Sequence, residues 1–171
     1  MKRLIILALT MVCAVGFLAF YMTGCADGGG DITQEPEITV GYLTGEYAGQ
    51  LVRDGADVLL GVIDITEGED GTTLVDVGER EYVEDATRPN GFYIADKNLE
   101  DTYQLSSDAR ATFLAGGSSI PKPMAADEFV DAVAKDLDEY GASDPDYKNY
   151  KLYDIYVMDD QILLLLARYL P

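Results

Sequence analysis

The stretch MAADEFVDAVAKDLDEY, residues 124–140, decides the fold. Its apolar positions Phe129, Val130, Val133, Leu137 and Tyr140 recur at three- and four-residue spacings. That is the period of a helix with one buried face. Asp127, Glu128 and Asp131 stand near its start, where the helix dipole favours anions. Gly141 marks its end. The acidic side reads as the solvated face. It is the one stretch read as a helix.

Downstream, residues 152–158 and 162–170 flank Asp159-Asp160 and read as a hairpin. The run Ile162 to Ala167 (ILLLLA) is apolar at every position, so it reads as a central strand covered on both faces. Upstream, residues 38–52 (ITVGYLTGEYAGQLV) are rich in β-branched and aromatic residues and are expected to form a strand that turns at Asp54-Gly55. Residues 57–66 and 72–78 continue as a meander around a Gly-containing loop at 67–71. Short strands are expected at 92–95, 102–105 and 110–114, separated by turns at Arg88-Pro89-Asn90-Gly91 and Asp96-Lys97-Asn98. A loop covers 116–123. The expected class is α+β: a curled antiparallel sheet or small open OB-like β-barrel of six to eight strands, with one amphipathic helix before a C-terminal hairpin.

The N-terminus reads as an address. Lys2 and Arg3 are the only charges before Asp27, and residues 4–21 are uncharged. A basic start, an apolar core and a small-residue cleavage site make an export signal. The site itself, Met22-Thr23-Gly24-Cys25, resembles the lipobox of bacterial lipoproteins, with Met22 where Leu is commonest. That resemblance implies a diacylglyceryl group on the Cys25 thiol and cleavage before it. Two or three acyl chains anchor firmly. The plainer alternative is an uncleaved signal anchor, since eighteen apolar residues approach the length of a spanning helix. Both place the remainder outside the cytoplasm. The expected organisation is a signal peptide at 1–24, a lipidated Cys25 with a Gly-rich tether to residue 37, and one domain over 38–171.

The chain of 171 residues carries a formal −19, with two basic and no acidic residues in the first 24, leaving −21 for the rest. Such a field argues against nucleic acid as a partner. There is no histidine or tryptophan, and the only cysteines are Cys13 and Cys25. Nucleophilic triads that need histidine cannot be built, and zinc or copper sites lose their usual ligands. No cofactor is expected.

The chain from Arg88 onward resembles a group of uncharacterised secreted or lipid-anchored β-rich domains of Gram-positive bacteria. The matching pieces are Pro89-Asn90-Gly91-Phe92-Tyr93-Ile94, residues 100–109 (EDTYQLSSDA), Phe129, Asp159-Asp160-Gln161-Ile162 and Tyr169-Leu170-Pro171. The resemblance implies a fold and a surface location, and no activity.

Three constellations bear on function. Asp64 and Asp76 are expected to lie diagonally on one face of a hairpin, with Asp64 opposite Leu74 and Val62 opposite Asp76. Paired carboxylates serve glycoside hydrolysis, although Ile63, Ile65, Val75 and Val77 would then be the buried face and the aspartates merely its solvated side. Asp136, Asp138 and Gly141 faintly resemble a calcium loop, but Tyr140 and Tyr147 occupy ligand positions, and Lys148 spoils the alternative frame at Asp144-Pro145-Asp146. Tyr147, Tyr150, Tyr153 and Tyr156 recur every third residue and form a possible binding surface for a sugar or a partner's groove; the plainer reading makes them sheet residues.

The expectation is a membrane-anchored surface lipoprotein on the extracytoplasmic face of a bacterial plasma membrane. It would be a non-enzymatic binding or accessory module for an envelope protein or glycan. A carboxylate-based hydrolase of wall glycans and a weak calcium-binding lipoprotein are the alternatives.

Overall fold

The computed structural model describes residues 37–116 and 118–169. The apolar run, Met22 to Gly24 and Cys25 lie outside the described residues.

The first described element corrects the sequence reading. Residues 40–54 are a helix, α1, made of an α-helical turn Val40–Tyr42, a π-helical stretch Leu43–Tyr47 and an α-helical stretch Ala48–Asp54. Its caps explain it. The Thr39 hydroxyl oxygen accepts from the Tyr42 N–H at 3.1 Å, satisfying one free amide of the first turn. At the other end Gly55 sits at φ 104°, the Gly55 N–H donates to the Val52 carbonyl at 3.2 Å, and the Ala56 N–H donates to the Leu51 carbonyl at 2.9 Å. This is a Schellman stop. Asp54-Gly55 is therefore a helix terminus and not a hairpin turn.

Gly55 has open space where a side chain would start, so only its backbone matters. Gly55→Ala should lower stability by about 1 kcal/mol through the left-handed φ alone. Urea unfolding of the two proteins measures this. A loss below about 0.3 kcal/mol would mean that the helix end is not held in this geometry.

The strands are β1 Asp57–Glu67, β2 Thr73–Glu84, β3 Phe92–Phe113, β4 Lys122–Ala125, β5 Leu152–Met158 and β6 Gln161–Arg168. The helix read from 124–140 is α2, Ala126–Asp136, continued by a π-helical turn Leu137–Gly141. Residues Tyr147–Tyr150 form one 3₁₀ turn.

The sheet order is β2-β1-β5-β6-β3-β4, and β2 also pairs with β3. The sheet thus curls into a ring, though not a regular barrel. All pairings are antiparallel except β3 with β6, so the sheet is mixed where an antiparallel one was expected. A three-strand meander, a helix before the last hairpin, and a parallel contact between the third and last long strands make this connectivity OB-like. The fold is α+β, with six strands and two helices among the described residues.

β3 is one strand of 22 residues where three short ones were expected. Its first part pairs with β2 and its last part with β6 and β4. Asp96-Lys97-Asn98 is a bulge and not a turn: Asn98 takes φ 54°, and its N–H donates to Asp96 Oδ1 at 2.7 Å. The register with β2 shifts there, between Gly78 and Arg80. Buried Glu79 pairs with Lys97 across the irregularity. β1 also changes partner, from β5 to β2, and does so at Gly61. A Cβ at Gly61 would lie 3.0 Å from the Gly78 carbonyl oxygen, so a side chain at this bend would need the neighbouring backbone to give way.

The ring interior is filled by Ile63, Val75, Val77, Leu105, Ile155, Ile162 and Leu165, and α2 closes it with Phe129 and Val133. Phe129 is fully buried. It meets Phe113 and Tyr153 edge to face, at centroid distances of 6.2 and 5.7 Å. Outside the ring, α1 lays Leu43, Ala48 and Leu51 against Leu164 and Leu166. β6 is therefore buried on both faces, as its unbroken apolar run implies, and the helix on its outer face is α1. A bulge at Leu163, between the pairs Tyr156↔Leu164 and Val157↔Ile162, changes the phase of its alternation. The β5–β6 turn is Asp159-Asp160, with φ of 52° and 61°, the geometry of a two-residue hairpin.

Candidate functional site

Asp64 and Asp76 lie on neighbouring strands and are directly opposed, Asp64↔Asp76. The expected diagonal register is off by two residues, with Val62 opposite Gly78 and Thr66 opposite Leu74. A shift of two keeps every side chain on its own face. Ile63, Val75 and Val77 are buried and Ile65 packs partly against them.

Two carboxylates directly opposite repel each other. Each has found a partner. Lys148 Nζ lies 2.7 Å from Asp64 Oδ2, and the Thr102 hydroxyl donates to Asp76 Oδ1. The Asp64–Lys148 pair is half exposed on both sides, so it contributes at most about 1 kcal/mol. A groove of about 480 Å³ runs over this face and is also lined by Arg80 and Glu100. Asp64 is salt-bridged and Asp76 hydrogen-bonded at an open surface. That is unlike a general acid, which needs a carboxyl kept protonated by burial.

The four tyrosines do not share a face. Tyr147 and Tyr150 lie on the 3₁₀ turn, and Tyr153 and Tyr156 lie in β5. Tyr153 is in the ring core at 2% exposure, against Phe129. Tyr156 packs toward α1 with Met158 and Leu163. Tyr147 is half-buried and donates its hydroxyl to Asp136 Oδ2 at 2.8 Å. Tyr150 is the exposed one, at 67%. Tyr147, Tyr150 and Tyr153 nevertheless border one cleft of about 230 Å³, together with Lys151, Arg168 and Tyr169. Tyr169, 58% exposed, was singled out only as part of a C-terminal match. It follows β6 directly, and it shares the cleft with Tyr150 through the pairing of β5 with β6, which spacing does not reveal.

Beneath the cleft is a polar hub that sequence reasoning missed. Asp136, buried near the end of α2, accepts from the Gly116 N–H at 2.9 Å and from the Tyr147 hydroxyl. Lys151 Nζ lies 2.9 Å from its Oδ2, donates to the Leu114 carbonyl at 2.7 Å, and sits over the rings of Phe113 and Tyr147. One signal was available. Asp136 follows Phe129 by seven residues, two helical turns, and so lies on the buried face. An acid there needs a cation.

Burial, and then the Asp136 carboxylate, push the phenols of Tyr147 and Tyr153 well above the ordinary tyrosine value. Both must stay protonated in the fold, while the unfolded chain ionises near pH 10. Their contribution to stability is complete below about pH 10 and is lost as pH rises beyond it. Denaturant midpoints should be flat from about pH 8 to 9 and fall above about pH 10. Tyr153→Phe should flatten the fall, and an unchanged slope in that variant would discount the assignment.

Among the described residues no cluster of three acidic or cysteine side chains is gathered for a metal ion, and no helix is long and apolar enough to cross a membrane. No protein-family model, curated protein or solved structure matches the chain.

Proposed function

We propose that this chain is a surface lipoprotein, anchored through Cys25 at the extracytoplasmic face of a bacterial plasma membrane, and that its α+β domain is a non-enzymatic binding or accessory module in the envelope. The observation that carries the reading is Cys25 itself, placed after Thr23-Gly24 at the end of an uncharged run with a basic start. The geometry of the domain supports binding over hydrolysis. Asp64 and Asp76 are engaged by Lys148 and Thr102, whereas the exposed rings of Tyr150 and Tyr169 border a cleft and are free to cover a partner's surface.

Metabolic labelling with a fatty acid tests the anchor: wild type should incorporate label and Cys25→Ser should not. Equal labelling of the two would overturn it. For the module, immobilised full-length protein should retain an envelope component that Tyr150→Ala/Tyr169→Ala releases. Retention unaffected by that double substitution would remove the tyrosine surface from the reading.

A further inference from the structure

A cleft of about 740 Å³ lies where the ring closes. That volume is within the roughly 300–1,000 Å³ typical of small-molecule sites. Gln104 stands at the junction. It is the residue at which β3 leaves β2 and joins β6, opposite Leu74 on one side and Gln161 on the other. Just beyond it β3 bulges. Ser106 to Ala109 fall between the pairs Leu105↔Ile162 and Arg110↔Leu164 and have no partner in either ladder. Such irregularities re-aim side chains and are common beside binding sites. The start of β2 and the first turns of α2 complete the walls.

The lining has a consistent chemistry. Gln104 and Gln161 offer two amides, Thr73 and Ser107 two hydroxyls, and Asp127 and Asp131 two carboxylates one helical turn apart. None of these six side chains makes a hydrogen bond or ion pair among the described residues. Five of them are solvent-exposed, and Thr73 is half-buried. Leu105 and Val130 supply a small apolar floor. No lysine or arginine lines the cleft, and two carboxylates repel anions. The floor is too small for an apolar ligand. Two acids alone do not make a metal site among the described residues. Amides, hydroxyls and carboxylates without a cation suit vicinal hydroxyl groups, each of which donates and accepts at once.

We infer that this cleft binds a short uncharged oligosaccharide, with the amides of Gln104 and Gln161 and the carboxylates of Asp127 and Asp131 taking its hydroxyl groups. This rests on the reading of the domain as a binding module, and it gives that module a ligand class and a seat distinct from the tyrosines.

The test uses the full-length protein in detergent with two neutral probes, the N-acetylglucosamine trimer and maltotriose, and one anionic probe, a galacturonic acid trimer. Titration calorimetry should show saturable binding of at least one neutral probe and none of the anionic one. Side-chain amide resonances of Gln104 and Gln161 should shift with that probe. Gln104→Ala/Gln161→Ala should weaken binding by about tenfold at unchanged melting temperature, and Tyr150→Ala/Tyr169→Ala should leave it intact. Failure of both neutral probes to bind, preference for the anionic one, or binding indifferent to the glutamine substitutions would overturn the assignment. Tyrosine-dependent capture of an envelope component would survive that failure, and loss of fatty-acid labelling would leave oligosaccharide binding untouched, so the two readings fail separately.

Discussion

Phe129→Ala should destabilise the domain by about 3–5 kcal/mol. The ring of Phe129 is fully buried and edge-on to both Phe113 and Tyr153. Its removal takes away apolar burial and two aromatic contacts, and it leaves a void between α2 and the ring that rigid strands cannot collapse to fill. A domain of this size has about 5–15 kcal/mol in total, so the loss is a large fraction. Guanidinium unfolding followed by far-UV circular dichroism measures it. Phe129→Leu, which keeps much of the volume, should cost less than half as much. A cost below about 1 kcal/mol for the alanine variant would mean that α2 does not close the ring as described.

Asp136→Ala should cost about 3–5 kcal/mol by a different route. Its carboxylate satisfies a backbone amide, a phenol and an ammonium group at once. Truncation leaves Lys151, itself largely buried, with its charge uncompensated beside the rings of Phe113 and Tyr147. Asp136→Asn keeps an acceptor and should cost about 1–3 kcal/mol. The double variant Asp136→Asn/Lys151→Met should be less damaged than the sum of its singles, because it removes both charges together. Strict additivity in that cycle would show the two groups to be uncoupled.

Much of this architecture is legible from residues alone, and the gaps have physical causes. The spacing of Phe129, Val133 and Leu137 fixes α2. The alternation of Ile63, Ile65, Val75 and Val77 fixes the inner face of β1 and β2. The unbroken run from Ile162 fixes β6 as central. Alternation has period two, however, so it assigns faces without register. The Asp64–Asp76 pair was consequently misplaced by two residues although its face was right.

Helix α1 escaped because residues 38–52 are rich in Val, Tyr and Thr and hold Gly41, Gly45 and Gly49, all weak helix formers. What makes the helix is tertiary: Leu43, Ala48 and Leu51 cover β6. The caps at Thr39 and Gly55 were the available signal. β3 reads as three pieces because Asn98 and the serines look like turns, and only the curvature of a closing ring turns such breaks into bulges. Of the candidate site, the tyrosine period straddles a 3₁₀ turn and a strand, so one spacing describes two geometries. The cleft at Gln104 draws its walls from four separate elements, and no local window displays it.

The position of β6 governs the order in which the molecule can assemble. The pairings of β1 with β2 and of β2 with β3 join strands adjacent in sequence, whereas the ring closes only through β6. The strand that seals them is made after 160 residues and then inserts between two others. Val75, Val77 and Leu105 share their core with Ile162 and Leu165 of that strand. Contacts of such sequence separation slow folding and prolong the sticky stage.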